Sequence, residues 1–139
     1  MNTKIKKIQI SDMRKCFSFW DFENDKEKRN RIEQEIVSEI RTMYAYVLDG
    51  EYVAGISIQQ LDNDTAYLSY LTVKEDCRNR GIGTEMIKYA CKMSKTDGNS
   101  YVKLNVDYEN FDAKRLYEKL GFAETGINNC NRIEMRITL

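Results

Sequence analysis

Leu71-Thr72-Val73-Lys74-Glu75-Asp76-Cys77-Arg78-Asn79-Arg80-Gly81-Ile82-Gly83-Thr84 joins an apolar, extended run to a helix start marked by two glycines, and the rest of the chain is organised around this stretch. Its chemistry is that of an anion-binding hinge. Arg78 and Arg80 bring positive charge to a turn where Gly81 and Gly83 free the backbone, so that successive N–H groups can converge at the positive end of a helix dipole. A pyrophosphate suits such a cluster of donors. Taken alone, a glycine pair at a strand-to-helix turn serves a tight turn equally well, so the stretch needs support from elsewhere in the chain.

Upstream, Ala66-Tyr67-Leu68-Ser69-Tyr70-Leu71-Thr72-Val73 is dense in aromatic and β-branched residues and predicts a strand central in a sheet. Before it, residues 43–48 alternate Tyr44, Tyr46 and Leu48 with smaller side chains, Asp49-Gly50 supplies a two-residue turn, and residues 51–61 alternate again, which predicts a hairpin. Residues 4–10 read as a short edge strand. Ser11 is placed to cap a helix with Met13, Cys16, Phe17 and Trp20 on one face. The acidic, aromatic stretch 21–25 breaks that pattern, and Asn24 with Glu27 starts a second helix whose stripe is Ile32, Ile36, Val37 and Ile40.

Downstream, Ile82, Met86, Ile87, Ala90 and Cys91 fall on one face of a helix that Thr96-Asp97-Gly98-Asn99 ends. Residues 101–106 are extended. Asn110 precedes a compact helix with Ala113, Leu116, Tyr117 and Leu120 on one side; Gly121 closes it in a left-handed cap and Phe122 folds back on its last turn. Residues 132–139 alternate Ile133, Met135, Ile137 and Leu139 as a final strand. The order is βααβββαβαβ, an α+β domain with a mixed sheet.

The 139 residues fit one domain, 1–139, able to bury roughly two thirds of the surface its unfolded form exposes. Four cysteines (Cys16, Cys77, Cys91, Cys130) form no C-x-x-C pair and histidine is absent, which argues against a metal centre. Such scattered thiols suit a cytoplasmic protein. No apolar run approaches the ~20 residues of a membrane span, and the first residues lack the apolar core of a signal peptide. Lys plus Arg and Asp plus Glu balance at 22 each, leaving no global field to recruit nucleic acid or an anionic membrane. Edge strands leave room for a homodimer.

In this order of elements, Arg78-x-x-Gly81-x-Gly83 is similar to the acyl-CoA signature R/Q-x-x-G-x-G/A of the GNAT superfamily of N-acyltransferases. A second block sits where that family expects it: Asn110-Phe111-Asp112-Ala113-Lys114-Arg115-Leu116-Tyr117-Glu118-Lys119-Leu120-Gly121-Phe122 resembles N-x-x-A-x-x-L-Y-E-K-x-G-F almost residue for residue. Two ordered blocks are far more specific than either. The resemblance is strongest over residues 67–122, and departs from the family where many members carry a proline and this chain has Lys74-Glu75-Asp76. It implies a mixed, mostly antiparallel sheet flanked by helices. It also implies an acetyl group moved from acetyl-CoA, as co-substrate and without metal, to the primary amine of a small molecule or peptide by direct attack on the thioester.

The same resemblance implies roles for residues. The backbone of Leu71, Thr72 and Val73 would pair with the pantetheine arm, and the amides of Arg78, Asn79, Arg80, Gly81, Ile82, Gly83 and Thr84 would hold the pyrophosphate. Tyr117 is the family's general acid for the departing thiolate; its place on the apolar stripe also fits a packed core tyrosine. A phenol of pKa ~10 is a mild acid toward a thiol of pKa ~8.5, so its contribution is modest. Asn110 either holds the cofactor through its amide or is a plain helix cap, and Asn105 is a candidate of the same kind. Tyr70 is a lining or a core residue, and residues 21–25 with Trp20 and Phe22 either shape the acceptor pocket or form a solvated charge run. Transfer through Cys77 or Cys91 is disfavoured, Cys91 lying on a buried helical face. No general base is assigned: without histidine it must be a carboxylate, a tyrosine, a backbone carbonyl or a water chain. That gap leaves an alternative, a non-catalytic acyl-CoA-binding regulatory module.

Overall fold

The structure, a computed structural model, describes residues 2–127 and 130–139. Its strands are β1 (Thr3–Lys7), β2 (Arg41–Leu48), β3 (Glu51–Gln60), β4 (Thr65–Val73), β5 (Tyr101–Asp107), β6 (Ala123–Ile127) and β7 (Arg132–Thr138). Its helices are α1 (Lys26–Val37), α2 (Ile82–Thr96) and α3 (Phe111–Lys119), with 3-10 segments at Ile10–Cys16 and Glu75–Cys77. The strands form one sheet in the order β1-β2-β3-β4-β5-β7-β6. β4 and β5 run parallel and every other neighbouring pair is antiparallel, which gives the expected α+β fold with a mostly antiparallel sheet.

Local chemistry accounts for the hairpin. Asp49 (φ 50°) and Gly50 (φ 85°) both adopt the left-handed conformation that matches a two-residue turn to strand twist. Alternation along β2 then sends Tyr44 and Tyr46 to one face of the sheet and Met43, Ala45 and Val47 to the other, so β2 is buried on both faces. On the first face Ile82, Met86, Ile87 and Ala90 of α2 pack over Val102, Leu104 and Val106 of β5. On the second, Met13, Cys16, Trp20, Phe22 and Ile32 pack over β2. This second core stops short of β5 and β7. There the sheet carries polar cross-strand pairs instead: Lys103 to Glu134 at 3.2 Å, Arg132 to Asp107 at 3.1 Å, and Arg136 over the Tyr101 ring at 4.3 Å.

Four details differ from expectation. The first helix is a 3-10 segment capped by Gln9, not Ser11, because the Asp12 carboxylate accepts from the Gln9 N–H at 3.0 Å. α1 is capped by Asp25, whose Oδ1 accepts from the Lys28 N–H at 3.0 Å, while Asn24 donates to Asp21 at 3.1 Å. Of the stripe expected on α1, Ile32 is buried, but Val37 is 69% and Ile40 47% exposed, since the helix ends at Val37 and Ile40 lies in the link to β2. Finally, the order βααβββαβαβ omits β6, an edge strand exposed at every residue and therefore without an alternating pattern to read.

Candidate active site

Parallel pairing between β4 and β5 covers only Thr65↔Tyr101, Ala66↔Val102 and Tyr67↔Lys103; beyond these the two strands part. The gap is a cavity of about 490 Å³ that passes through the sheet. On the α2 and α3 side its wall is apolar, with Ile56, Leu68, Ile87, Val106, Ala113 and Tyr117. On the opposite side it is polar, with Arg41, Gln59, Tyr67, Ser69, Asn105 and Asp107.

A bulge in β4 creates the parting. Ser57 pairs with Ser69 and Gly55 with Thr72, so Ile56 alone stands opposite both Tyr70 and Leu71. Tyr70 sits at φ 54°, a strained conformation for a side-chain-bearing residue. Its carbonyl is held by the Trp20 indole N–H at 2.8 Å, and Gly55 makes room for that indole: a Cβ there would lie 2.5 Å from Trp20 Cη2 and 2.7 Å from Phe19 Cε2. Trp20 and Phe22 are thus core residues that fix the bulge. Two of the three nearby acids are spent locally, Asp21 on Asn24 and Asp25 on the α1 cap, and Glu23 is exposed, so the solvated reading of this stretch is the one its geometry favours.

Backbone donors follow from the ladder. Lys74 N–H donates to Val53 O at 2.8 Å, so alternation turns the amide groups of Val73, and of Leu71 two residues earlier, away from β3 toward the open side. Thr72 faces β3 through its pairing with Gly55. The Val73 carbonyl is already engaged, accepting from Arg78 Nε at 3.0 Å. In the following turn Asn79 (φ 63°) and Gly81 (φ 80°) are left-handed, and α2 makes its first backbone bond from Glu85 N–H to Gly81 O at 3.0 Å. Among the described residues the amides from Asn79 to Thr84 have no acceptor. A Cβ at Gly81 would meet nothing within 4 Å and one at Gly83 would meet only Val73 Cγ2 at 4.0 Å. Unpaired donors with open space before them fit a phosphate group. Arg80 is exposed beside them.

Tyr117 is aimed by the end of its helix. Phe122 N–H donates to Tyr117 O at 3.0 Å and Gly121 N–H to Glu118 O at 3.1 Å, a Schellman cap made by Gly121 at φ 105°. The apolar contact that accompanies such a cap is Phe122 against Tyr117 itself, edge to face at 5.9 Å. Burial raises the Tyr117 hydroxyl above the ordinary phenol pKa, with Arg132 pulling the other way, and no hydrogen bond to that hydroxyl occurs among the described residues. Asn110 caps α3, its Oδ1 accepting from Ala113 N–H at 3.2 Å, and it also lines the cavity. Asn105 and Tyr70 line it too.

Sequence reading missed the polar wall. Buried Arg41 donates through Nε and Nη2 to Glu35 at 3.1 and 3.0 Å, through Nη1 to Ser57 at 2.6 Å and Ser69 at 3.4 Å, and through Nη2 to Gln59 at 3.2 Å. Asn105 Nδ2 donates to the Tyr67 hydroxyl at 3.0 Å, bridging β4 and β5 where their pairing ends. The alternation of Arg41, Gln59 and Ser57 onto one face was the available signal. Neither Cys16 nor Cys91 offers a nucleophile, since burial pushes Cys16 up to about 12 and Cys91 up to about 11. No group of acids, cysteines or histidines able to hold a metal occurs among the described residues.

The profile of the acetyltransferase (GNAT) family matches residues 6–122. This chain belongs to that family. Among its GNAT relatives are the chloroplastic GCN5-related N-acetyltransferase 6 of Arabidopsis thaliana and the streptothricin acetyltransferase of Escherichia coli, each 26% identical and matched over 73% of this chain. The chain spans 39% and 58% of their respective lengths, less than two thirds of either. Among solved GNAT structures, the PaiA N-acetyltransferase of Thermoplasma acidophilum in complex with coenzyme A superposes with a TM-score of 0.84 at 19% identity, covering 100% of both chains. A GNAT acetyltransferase of Elizabethkingia anophelis with acetyl-CoA bound gives 0.81 at 17% identity, covering 99% of each. These two likenesses establish the GNAT fold.

Proposed function

We propose that residues 1–139 form one acetyltransferase domain that moves an acetyl group from acetyl-CoA to a primary amine by direct attack on the thioester. The observation that carries this reading is the cavity through the sheet, with the Tyr117 hydroxyl on its apolar side and unpaired backbone donors at the start of α2. In this reading the amides from Asn79 to Thr84, with Arg78 and Arg80, take the pyrophosphate. Leu71 and Val73 pair with the pantetheine arm, for which Arg78 must release the Val73 carbonyl. The amine attacks from the polar side; the N–C bond forms as the C–S bond breaks, and Tyr117 gives its proton to the departing thiolate. Its raised pKa keeps it protonated, and thus ready as an acid, throughout the neutral range. The Leu71 N–H, turned outward by the bulge, donates to the thioester oxygen as charge develops there.

Acetyl-CoA is expected to raise the melting temperature and to protect residues 78–84 from hydrogen exchange. If it does neither, the reading fails. Thioester release over a panel of amines then tests turnover. We further place the protein in the cytoplasm, in keeping with its scattered cysteines that form no C-x-x-C pair, and propose no nucleic-acid partner, in keeping with its balanced charge. Among the described residues no helix is long and apolar enough to cross a membrane. β6, exposed at the sheet edge, offers two copies a surface for pairing.

A further inference from the structure

The ionisable groups around the polar mouth of the cavity are spent on one another. Arg41 has a partner for every one of its N–H groups, and its counter-ion Glu35 turns its other oxygen to Arg31 at 3.5 Å. Among the described residues Asp107 is the one carboxylate lining the cavity, and it holds Arg132 at 3.1 Å. The chain has no histidine. What remains at the mouth is amides and hydroxyls, chiefly Gln59, Tyr67, Ser69 and Asn105. Asn105 commits its N–H to the Tyr67 hydroxyl, which leaves its carbonyl oxygen to accept from an amine. A carboxamide oxygen orients an N–H donor but does not take a proton from an ammonium ion.

We infer that the acceptor must arrive already deprotonated, so that this site selects amines of low basicity, α-amino groups of peptides or amino-acid derivatives, over lysine side chains and polyamines. The inference rests on the acetyl-transfer reading above and names the substrate class of that same site. An α-amino group has pKa ~7.7–8.0 and a lysine side chain ~10.4, so at pH 7.5 roughly a third of the former but about a thousandth of the latter is neutral, a discrimination on the order of 200-fold without any dedicated contact. The proton balance closes. The neutral amine forms the N–C bond, Tyr117 protonates the leaving thiolate, and the surplus amine proton passes to water. The route out is the polar sheet face over β5 and β7, beyond the reach of the core that covers β2. Tyr117 regains its proton from the same solvent.

Two acceptors test this: a lysine-free tripeptide amide with a free amino terminus, and an N-acetylated tripeptide amide carrying one lysine. With saturating acetyl-CoA, kcat/KM is measured by thioester release from pH 6.5 to 9.5. The first acceptor should level off near pH ~8 and the second should climb about tenfold per pH unit across the range, leaving it on the order of 200-fold poorer at pH 7.5. Asp107→Asn should leave the inflection of the first acceptor and the slope of the second where they are. A single inflection shared by both acceptors overturns the inference, as does comparable use of the lysine peptide at pH 7.5 or an inflection lost with Asp107→Asn. Transfer to neither, while acetyl-CoA still raises the melting temperature, overturns it too. An unshifted melting temperature instead refutes the acetyl-transfer reading, and this inference falls with it.

Discussion

Gly55→Ala should damage this protein far more than one added methyl group suggests. The new Cβ would fall inside contact distance of Trp20 Cζ2, 2.5 Å from Cη2 and 2.7 Å from Phe19 Cε2, and Trp20 is 3% exposed with nowhere to yield. Forcing the indole aside costs about 1–3 kcal/mol of overpacking. It also breaks the 2.8 Å bond to the Tyr70 carbonyl, leaving that oxygen with only a long contact to Thr72 Oγ1 at 3.4 Å, for about 1–3 kcal/mol more. The two terms share one displacement and do not add fully, so a loss of about 3 kcal/mol is expected. For a chain of 139 residues that is a fall of roughly 12 °C in melting temperature. Because the same bond holds the β4 bulge, kcat for acetyl transfer should drop in the fraction that stays folded. Trp20→Phe removes two of the three colliding atoms, so the double variant should melt above Gly55→Ala alone. A shift below about 2 °C with turnover intact, or a double variant no more stable than the single, would refute the account of the bulge.

Four further outcomes follow from the geometry. Tyr117→Phe removes a hydroxyl with no hydrogen-bond partner among the described residues, so melting should be unchanged while kcat falls on the order of 10²-fold, the low end for a general acid. Gly121→Ala places a side chain at φ 105° with its Cβ 3.2 Å from Ile137 Cδ1; about 1–3 kcal/mol of stability should be lost by denaturant titration, together with turnover, since that cap aims Tyr117. Glu35→Ala leaves buried Arg41 without its counter-ion and should cost about 3 kcal/mol, part of it recovered by adding Arg41→Met. For Asp12, burial raises the carboxyl pKa, but the Gln9 N–H, the Lys6 ammonium and the Tyr52 hydroxyl together hold it below the usual range. Its folded pKa is the lower one, so its stabilisation is present above pH ~4 and is lost as pH falls through the folded value; Asp12→Asn should flatten the acid limb of stability against pH.

The fold was legible wherever a local rule dominates. Asp49-Gly50 admits few alternatives, the face of α2 repeats at helical spacing, and Gly121 before Phe122 announces the cap that the structure shows. Reading failed where a neighbour in space overrode the local pattern. Gln9 outcompetes Ser11 as a cap because Asp12 is tied to Lys6 and Tyr52, and β6 holds its place by pairing with β7 without burying any residue. The turn of unpaired amides before α2 could be found because its donors are contiguous in the chain. The polar mouth could not, since Arg41 meets Glu35 across the α1 to β2 link and Asn105 meets Tyr67 across 38 positions.

The short junction between β4 and β5 also makes this protein a two-part object. Residues up to Gly98 supply β1 to β4 with α1 and α2, and those after it supply β5 to β7 with α3. Three residue pairs and the reciprocal bonds between Gln60 and Asn99 close one end, and the other end stands open. Gly98 lies in a tight turn at φ 92° with open space around it, at the seam itself. A polypeptide cut there leaves two pieces joined by this junction and by the core of α2 over β5, and any molecule lodged between the strands becomes a further bridge across the cut. Reassembly of the two pieces would then report on that molecule without the need to measure a reaction.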